Sequence, residues 1–219
     1  MPQIFRPGAN TLARLSLVLF ALSAPGGLVL LDVLFRSPYV TGQGLSIVQP
    51  VPFSHKHHAE MGIDCRYCHG MSEETSFAGI PSTRTCMNCH SQIWPDSPVL
   101  ELVRDSARTG KPLEWIKVHD LPDFVYFDHS IHVAKGVGCA TCHVRVDRMP
   151  RPRIEHPLQM RWCLECHRAP EQFVRPREMV TAMNYEPPAD QPALGRKLVE
   201  EYGIDTRNHR LSDCALCHR

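Results

Sequence analysis

Five times along the chain, two cysteines separated by two residues are followed directly by a histidine, and all ten cysteines take part. Two thiols and an imidazole at this spacing are typical of covalent attachment of a c-type haem: the thiols bond to the vinyl groups and the histidine binds the iron from one side. We number these attachment sites in chain order: site 1 is Cys65, Cys68 and His69; site 2 is Cys86, Cys89 and His90; site 3 is Cys139, Cys142 and His143; site 4 is Cys163, Cys166 and His167; site 5 is Cys214, Cys217 and His218.

Two other chemistries also use cysteine pairs. Zinc ribbons need pairs of pairs, which leaves no role for a fifth pair or for a histidine after each one. Disulfides across so short a span belong to redox exchange, and five such motifs would be an unusual number for a chain of 219 residues. The pattern therefore predicts five covalently bound haems c and a protein of electron transport.

A duplicated phrase, Phe-x-His-x-x-His, precedes sites 1 and 3 at residues 53–58 and 127–132. On a helix, residues i and i+3 lie on the same face, so both histidines of each copy can point toward bound haems. His57 lies on another face and has Ile131 as its counterpart, so we do not expect it to bind iron. We expect four ligands on the opposite side of the irons: His55, His58, His129 and His132.

The fifth iron needs one more ligand, and the sequence leaves two main candidates. His119 is one; its alternative role is a loop imidazole bonded to Asp120 or to a haem propionate. Met183 is the other, because it lies in a polar loop where packing gives a methionine little to do. The choice matters because methionine on iron raises the reduction potential relative to histidine. His156 and His209 are weaker candidates.

Composition sets limits on the fold class. The 24 basic and 23 acidic residues nearly cancel, and no basic tail or patch points to nucleic acid. The 19 prolines and 13 glycines are many for regular structure and indicate long loops packed on something rigid. We therefore expect a multihaem cytochrome c fold, mostly loops and short α-helices packed around five haems, with one N-terminal transmembrane helix.

The N-terminal region predicts that helix. An apolar run from 15 to 31 follows Arg6 and Arg14, and residues 11–35 supply the roughly 20 apolar positions that a membrane span needs. The alternative is a signal peptide cleaved after Ala-Leu-Ser-Ala at 21–24. We expect an uncleaved anchor, with the preceding arginines on the cytoplasmic side and the rest of the chain outside.

The spacing of the sites suggests how the rest is organised. Cys65 and Cys86 are 21 residues apart, and Cys139 and Cys163 are 24 apart, so the duplication covers a unit of two haems. We expect four parts: an anchor at 1–40, a dihaem module at 41–112, a second dihaem module at 113–180 and a single-haem segment at 181–219.

Local signals predict the connecting elements. Proline and glycine in 36–52 favour an extended tether. Ser97 as N-cap, Pro98 and Gly110 bound a helix, whose apolar stripe would be Val99, Leu102, Val103 and Ala107. A further helix is expected from 193 to 202.

Phrases around the sites resemble a known family, the pentahaem c-type cytochrome subunit of alternative complex III, a bacterial quinol oxidoreductase. The five motifs are common to many cytochromes, and the flanking phrases carry the specificity. These phrases extend over nearly the whole chain: 53–58, 64–69, 78–81, 86–90, 118–127, 136–139, 162–168 and 217–219.

The resemblance implies partners and a location. The partners would be a large iron–sulfur subunit, multi-helix membrane subunits where quinol is oxidised, and a monohaem cytochrome. Electrons would pass through this subunit to a periplasmic acceptor or an oxidase. The chain would be a single-pass protein of the cytoplasmic membrane with its C-terminal domain in the periplasm.

Two other functions compete with this one. A stand-alone multihaem quinol dehydrogenase shares the single anchor but would oxidise quinol by itself and feed periplasmic reductases. A multihaem reductase needs a five-coordinate haem, often at an atypical motif, and all five motifs here are ordinary. We therefore expect no enzyme activity from the chain alone.

Overall fold

The structure is a computed structural model that describes residues 6 and 8–218. The chain divides into two compact units, residues 1–43 and residues 44–219.

The first unit is dominated by helix α1, Ala9–Arg36, which continues through Pro25. Its 28 residues extend about 42 Å at 1.5 Å per residue, more than the roughly 30 Å core of a bilayer. The mean hydropathy of its most apolar 18-residue window is 2.2, and none of that window is buried within the protein. α1 is thus long and apolar enough to cross a membrane, as N-terminal signal sequences also are.

The extended tether expected at 36–52 is wrong in its first part. Residues Pro38–Thr41 form helix α2, with proline in its first turn and Gly42 closing it at φ 68°. Proline and glycine cap a helix here, as they do elsewhere at first and last turns. From Gly44 onward the segment belongs to the second unit. The N–H of Gly44 donates to the carbonyl of Ile154 at 2.6 Å, and Val51 is buried.

The second unit consists of short helices joined by loops, which confirms the fold class predicted from the motifs. Across the described residues no β-strand forms beyond two isolated bridges, Ser46 with Arg153 and Val137 with Val174. The α-helices are α3 His55–Glu60, α4 Cys65–Cys68, α5 Thr83–His90, α6 Glu101–Thr109, α7 His129–Ala134, α8 Cys139–His143, α9 Met160–Arg168, α10 Gln191–Glu201 and α11 Cys214–Cys217. The 3₁₀ segments are Gly70–Glu73, Pro98–Leu100, Val146–Arg148, Pro170–Gln172, Arg177–Met179 and Arg207–Ser212.

The two helices predicted from capping signals are present. A 3₁₀ turn follows Ser97 and leads into α6, which Gly110 closes at φ 72°. The expected apolar stripe is wrong except for Val103, because the tight first turn has about three residues per turn and rotates the buried face. The side chains that face the interior are Leu100, Val103 and Ser106.

Protein side chains alone build two small cores. The first contains Val51, Leu100 and Val103. The second contains Val174, Leu198 and Tyr202, and it lies where α10 packs against Pro170–Gln172. Two clusters of three buried side chains are little for a unit of this length, which agrees with cofactors that supply much of the interior.

In the second core the helix and the loop approach very closely. A Cβ atom added at Gly195 would overlap the backbone of Glu171. Gln191 ties the same surfaces together, since its Nε2 donates to the carbonyls of Glu171 at 3.1 Å and Val174 at 2.9 Å. Position 195 therefore requires glycine because any side chain would clash with the backbone of Glu171, and not because of its backbone conformation.

Candidate haem-binding sites

Each of the five attachment sites forms a turn of helix. Sites 1, 3 and 5 form the short helices α4, α8 and α11, and sites 2 and 4 lie in the last turns of α5 and α9. One turn of helix places the two cysteines, at i and i+3, on the same face. All ten thiols are free, so the local geometry suits the two vinyl groups of one haem edge.

The histidines of four sites are oriented by backbone carbonyls through ring nitrogen Nδ1. A carbonyl can only accept, so Nδ1 carries the proton and Nε2 is left free to bind a metal. The acceptors are Gly79 for His69 at 2.8 Å, Ile93 for His90 at 3.1 Å, Leu211 for His167 at 2.7 Å and Phe124 for His218 at 3.0 Å.

The duplicated phrase forms helices α3 and α7, and each begins at the first histidine of its copy. The second histidine of each copy donates its Nδ1–H to the residue before the helix: His58 to the carbonyl of Ser54 at 2.8 Å and His132 to that of Asp128 at 2.6 Å. His129 donates to Ser76 at 2.8 Å. These three imidazoles therefore also present an unprotonated Nε2.

The structure brings the four upstream histidines opposite four of the motif histidines. A bond from imidazole to a metal is about 2 Å long, so two rings on opposite sides of one ion have centres about 6 Å apart. The four observed separations match this value: His55 and His69 at 6.4 Å, His58 and His90 at 6.2 Å, His129 and His143 at 6.4 Å, and His132 and His167 at 6.1 Å.

The pairing follows the duplication. In each copy, the first histidine faces the site that follows directly, and the second faces the next site along the chain. The ring planes are nearly parallel for His129 with His143, at 7°, and steeply inclined for His58 with His90, at 70°. No cluster of three or more metal-ligating side chains gathers within the described residues, so the imidazoles come together two by two.

The phenylalanine that opens each copy is a positioning residue that the sequence reasoning did not assign. Phe53 stacks on His58 with ring centres 4.5 Å apart, and Phe127 stacks on His132 at 4.6 Å. The signal was present, because both phenylalanines belong to the duplicated phrase. The carbonyl acceptors, by contrast, have no sequence signal, since any residue can supply one.

The interior histidines are strongly desolvated. Burial, together with the imidazoles of His119, His129, His69 and His55, lowers the pKa of His143 to about 3. Burial and the neighbouring His69 and His58 lower the pKa of His55 to about 4. Neutral imidazole is the form that binds iron, and the influence of His69 and His55 on His143 shows that sites 1 and 3 are neighbours.

The cysteine thiols show in the same way which of the other sites are neighbours, because thiols of one site raise the pKa of thiols in the next. Burial and the nearby Cys86 raise the pKa of Cys68, which links site 1 with site 2. Burial and then Cys65 raise the pKa of Cys139 to about 11, linking sites 1 and 3.

Sites 3, 4 and 5 are connected in the same way. Burial raises the pKa of Cys142 to about 12, and Cys166 contributes next, which links sites 3 and 4. Burial and Cys217 raise the pKa of Cys163, which links sites 4 and 5. The neighbouring sites are therefore 2 and 1, 1 and 3, 3 and 4, and 4 and 5, a row of contacts in the order 2, 1, 3, 4, 5 whose first and last sites carry the two exposed cysteines, Cys89 and Cys214.

Site 5 is the one motif without a facing imidazole among the described residues. The ring of His218 stacks instead on Phe124, with centres 5.9 Å apart. His119 lies 4.4 Å from His143, too close to share an iron with it. Its Nε2 is buried and has no hydrogen-bond partner.

The structure also shows where the other candidate iron ligands lie. Met183 is buried, next to Ala182, whose carbonyl accepts a hydrogen bond from Arg175. His156 stacks on Trp162 at 4.8 Å. His57 and His209 are exposed.

Comparisons with known proteins find matches to c-type cytochromes. The family described as cytochrome c7 and related cytochrome c matches residues 125–219, and the class III cytochrome C family matches residues 36–101. The multiheme cytochrome c subunit of menaquinone reductase from Nitratidesulfovibrio vulgaris (strain Hildenborough) is 39% identical over 97 residues, which are 43% of this chain and 45% of that protein. The match thus spans less than half of the relative.

The two family matches together include all five motifs, and at four of them the structure places a second imidazole opposite the motif histidine. The described residues thus offer paired thiols for covalent attachment and paired imidazoles for iron. The chain is therefore a multihaem c-type cytochrome, a protein of electron transport.

Proposed function

We propose that the chain is the pentahaem electron-transfer subunit of a membrane-bound quinol oxidoreductase, of the kind found in alternative complex III. The observation that carries this proposal is the set of four facing imidazole pairs, 6.1 to 6.4 Å apart. When bound, each haem supplies a one-electron carrier. At these four sites two imidazoles would leave no open position on the iron for a substrate, so the chain's residues would serve electron transfer rather than catalysis.

The protein residues perform three tasks in this proposal. Thioether bonds from the cysteine pairs would fix each haem edge, while the facing histidines of sites 1 to 4 would bind the iron from both sides. The stacked rings of Phe53 and Phe127 restrict rotation of His58 and His132. Two imidazoles are strong-field ligands and would keep the iron at these sites low-spin.

The row of sites suggests where redox partners bind. Its two ends carry the exposed Cys89 and Cys214, so we propose that an iron–sulfur or quinol-oxidising membrane subunit contacts one end. A periplasmic acceptor or a monohaem cytochrome would contact the other. In this proposal α1 anchors the chain in the cytoplasmic membrane with the second unit on the periplasmic side, where covalent haem attachment takes place.

We propose His119, rather than Met183, as the fifth ligand. Its buried Nε2 lacks a partner, and its neighbour His156 stacks on Trp162, next to site 4. Both candidates lie near site 3, where a facing pair is already present: His119 is 4.4 Å from His143, and Met183 lies by Arg175, which contacts that site. The unpartnered Nε2 is therefore what favours His119.

A variant pair separates these two candidates. His119→Ala should turn one of five irons high-spin, because one axial bond is lost, whereas Met183→Leu should leave the spectrum low-spin. Near-infrared magnetic circular dichroism of the oxidised protein is the measurement. A sulfur-to-iron charge-transfer band that disappears in Met183→Leu would reverse the assignment.

The relative is named for menaquinone reduction, and this favours a second direction, in which electrons pass through the chain toward a quinone. One experiment addresses both directions. The chain is isolated in mild detergent, alone and with its co-purifying subunits, and haem absorbance is followed after adding a menaquinol analogue.

The expected result is rapid haem reduction in the complex and reduction at least about tenfold slower in the chain alone. Equal rates would favour a stand-alone quinol dehydrogenase. Turnover of nitrite at a high-spin iron would favour a reductase. Oxidation of the pre-reduced haems by a menaquinone analogue, without reduction by the quinol, would establish the opposite direction.

A further inference from the structure

Arg175 is a buried charge without a carboxylate partner. Its side chain is 7% exposed, and no aspartate or glutamate of the described residues forms an ion pair with it. Other arginines of the same unit are neutralised: Arg145, for example, pairs with Asp147 at 2.6 Å. Burying an uncompensated charge is costly, so its position calls for an explanation.

Neutral groups hold the guanidinium of Arg175 in place. Its NH1 donates to the carbonyl of Ala182 and its NH2 to the hydroxyl of Thr141, both at 3.3 Å. The ring of Tyr185 lies 4.5 Å from Cζ, a distance suited to cation–π attraction. Nε is buried and has no partner. None of these contacts cancels the charge.

The guanidinium lies against the attachment loop of site 3. Thr141 stands between Cys139 and Cys142, and a Cβ at Gly138 would overlap the guanidinium. The backbone completes the contact, since the N–H of Arg175 donates to the carbonyl of Gly136 at 2.8 Å. Glycine at 138 thus lets a charged side chain approach the attachment loop of site 3.

A fixed positive charge beside a haem favours the reduced state, because reduction removes one positive charge from the iron. The interaction is strong at a buried site, where screening by water is weak. Although burial lowers the pKa of Arg175, a guanidinium stays protonated at working pH. The charge is therefore permanent.

We propose that Arg175 raises the reduction potential of the haem at site 3, the middle site of the row. The inference rests on the proposed function, because it requires a haem on Cys139 and Cys142. In the step it affects, one ferric iron takes one electron and becomes ferrous, while Arg175 neither gains nor loses a proton.

The test is redox titration of the full chain, followed by electron paramagnetic resonance. Nearly parallel ligand rings give a rhombic ferric signal and steeply inclined rings a strongly anisotropic one. The pair at site 3, at 7°, and the pair at site 1, at 15°, should both be rhombic. Arg175→Gln should lower the reduction potential of the haem that gives one of these rhombic signals by about 59 mV. This corresponds to a tenfold change in the equilibrium constant of a one-electron reduction.

Two further variants separate charge from structure. Arg175→Lys keeps the positive charge, so the reduction potential should stay close to that of the wild type. Tyr185→Glu leaves Arg175 in place but sets a carboxylate beside it, and it should lower the same potential, whereas Tyr185→Gln should not. Arg177→Gln is the matched control, because Arg177 is exposed and stacks on Tyr202.

Unchanged rhombic potentials in both Arg175→Gln and Tyr185→Glu would overturn the proposal. Equal shifts in Arg175→Lys and Arg175→Gln would also overturn it, because they would point to a structural role. Mass spectrometry counts the covalent haems of the wild type. A wild type that lacks haem at site 3 would instead contradict the proposed function.

Discussion

Replacing His132 with alanine should convert one of the five haem irons from low spin to high spin while all five haems remain covalently bound. His132 faces His167 at 6.1 Å, and its Nδ1 donates to the carbonyl of Asp128, so in the proposed arrangement it would bind the iron at site 4 from the side opposite His167. Its loss leaves that iron with one imidazole and an open position. The measurement is the optical and electron paramagnetic resonance spectrum of the oxidised protein, with cyanide added to titrate the open position.

His132→Ala should also slow electron transfer along the row strongly, because site 4 lies between sites 3 and 5. His57→Ala is the matched control: His57 is on the equivalent helix α3 but is exposed, and its loss should change neither the spectrum nor cyanide binding. An unchanged low-spin spectrum in His132→Ala would remove His132 from the ligand set. Loss of a covalent haem would show that the variant acts on attachment instead.

Replacing Gly195 with alanine should destabilise the second unit by about 1–3 kcal/mol, the usual cost of overpacking. The added Cβ would overlap the backbone of Glu171, which a side-chain rotation cannot relieve. For a unit of this size each kcal/mol lowers Tm by roughly 2–4 °C. Thermal unfolding followed by circular dichroism measures the shift.

Gly70→Ala is the control for this variant, because a Cβ at Gly70 meets no atom within 4 Å. We expect its Tm to stay close to that of the wild type. The same Tm in Gly195→Ala would mean that α10 does not pack on Pro170–Gln172 as closely as described. Since α10 precedes site 5, Gly195→Ala should also loosen the C-terminal segment, measured as faster proteolysis there.

The attachment chemistry could be predicted from the sequence because it is local. Two thiols and an imidazole within five residues need only one turn of helix to reach one haem. The i, i+3 histidines of the duplicated phrase are also local, so their helices α3 and α7 follow from the sequence. The caps around α6 are of the same kind, and the structure has them at Pro98 and Gly110.

Features that depend on distant parts of the chain could not be predicted. The buried face of α6 differs from the expected stripe because its first turn is tighter. Which imidazole faces which site is decided by packing across 14 to 35 residues of chain, as between His132 and His167. The order of the sites and the burial of Arg175 beside Gly138 likewise result from long-range contacts that leave no pattern in the sequence.

The sequence by itself determined that the chain has five motifs for covalent haem attachment and offers at least four further imidazoles, because that chemistry depends on short spacings. Only the tertiary structure decided which imidazoles face each other, how the five sites follow one another, and where an unpaired charge lies. These properties depend on distances between residues far apart in the chain, and such distances are set by folding rather than by spacing.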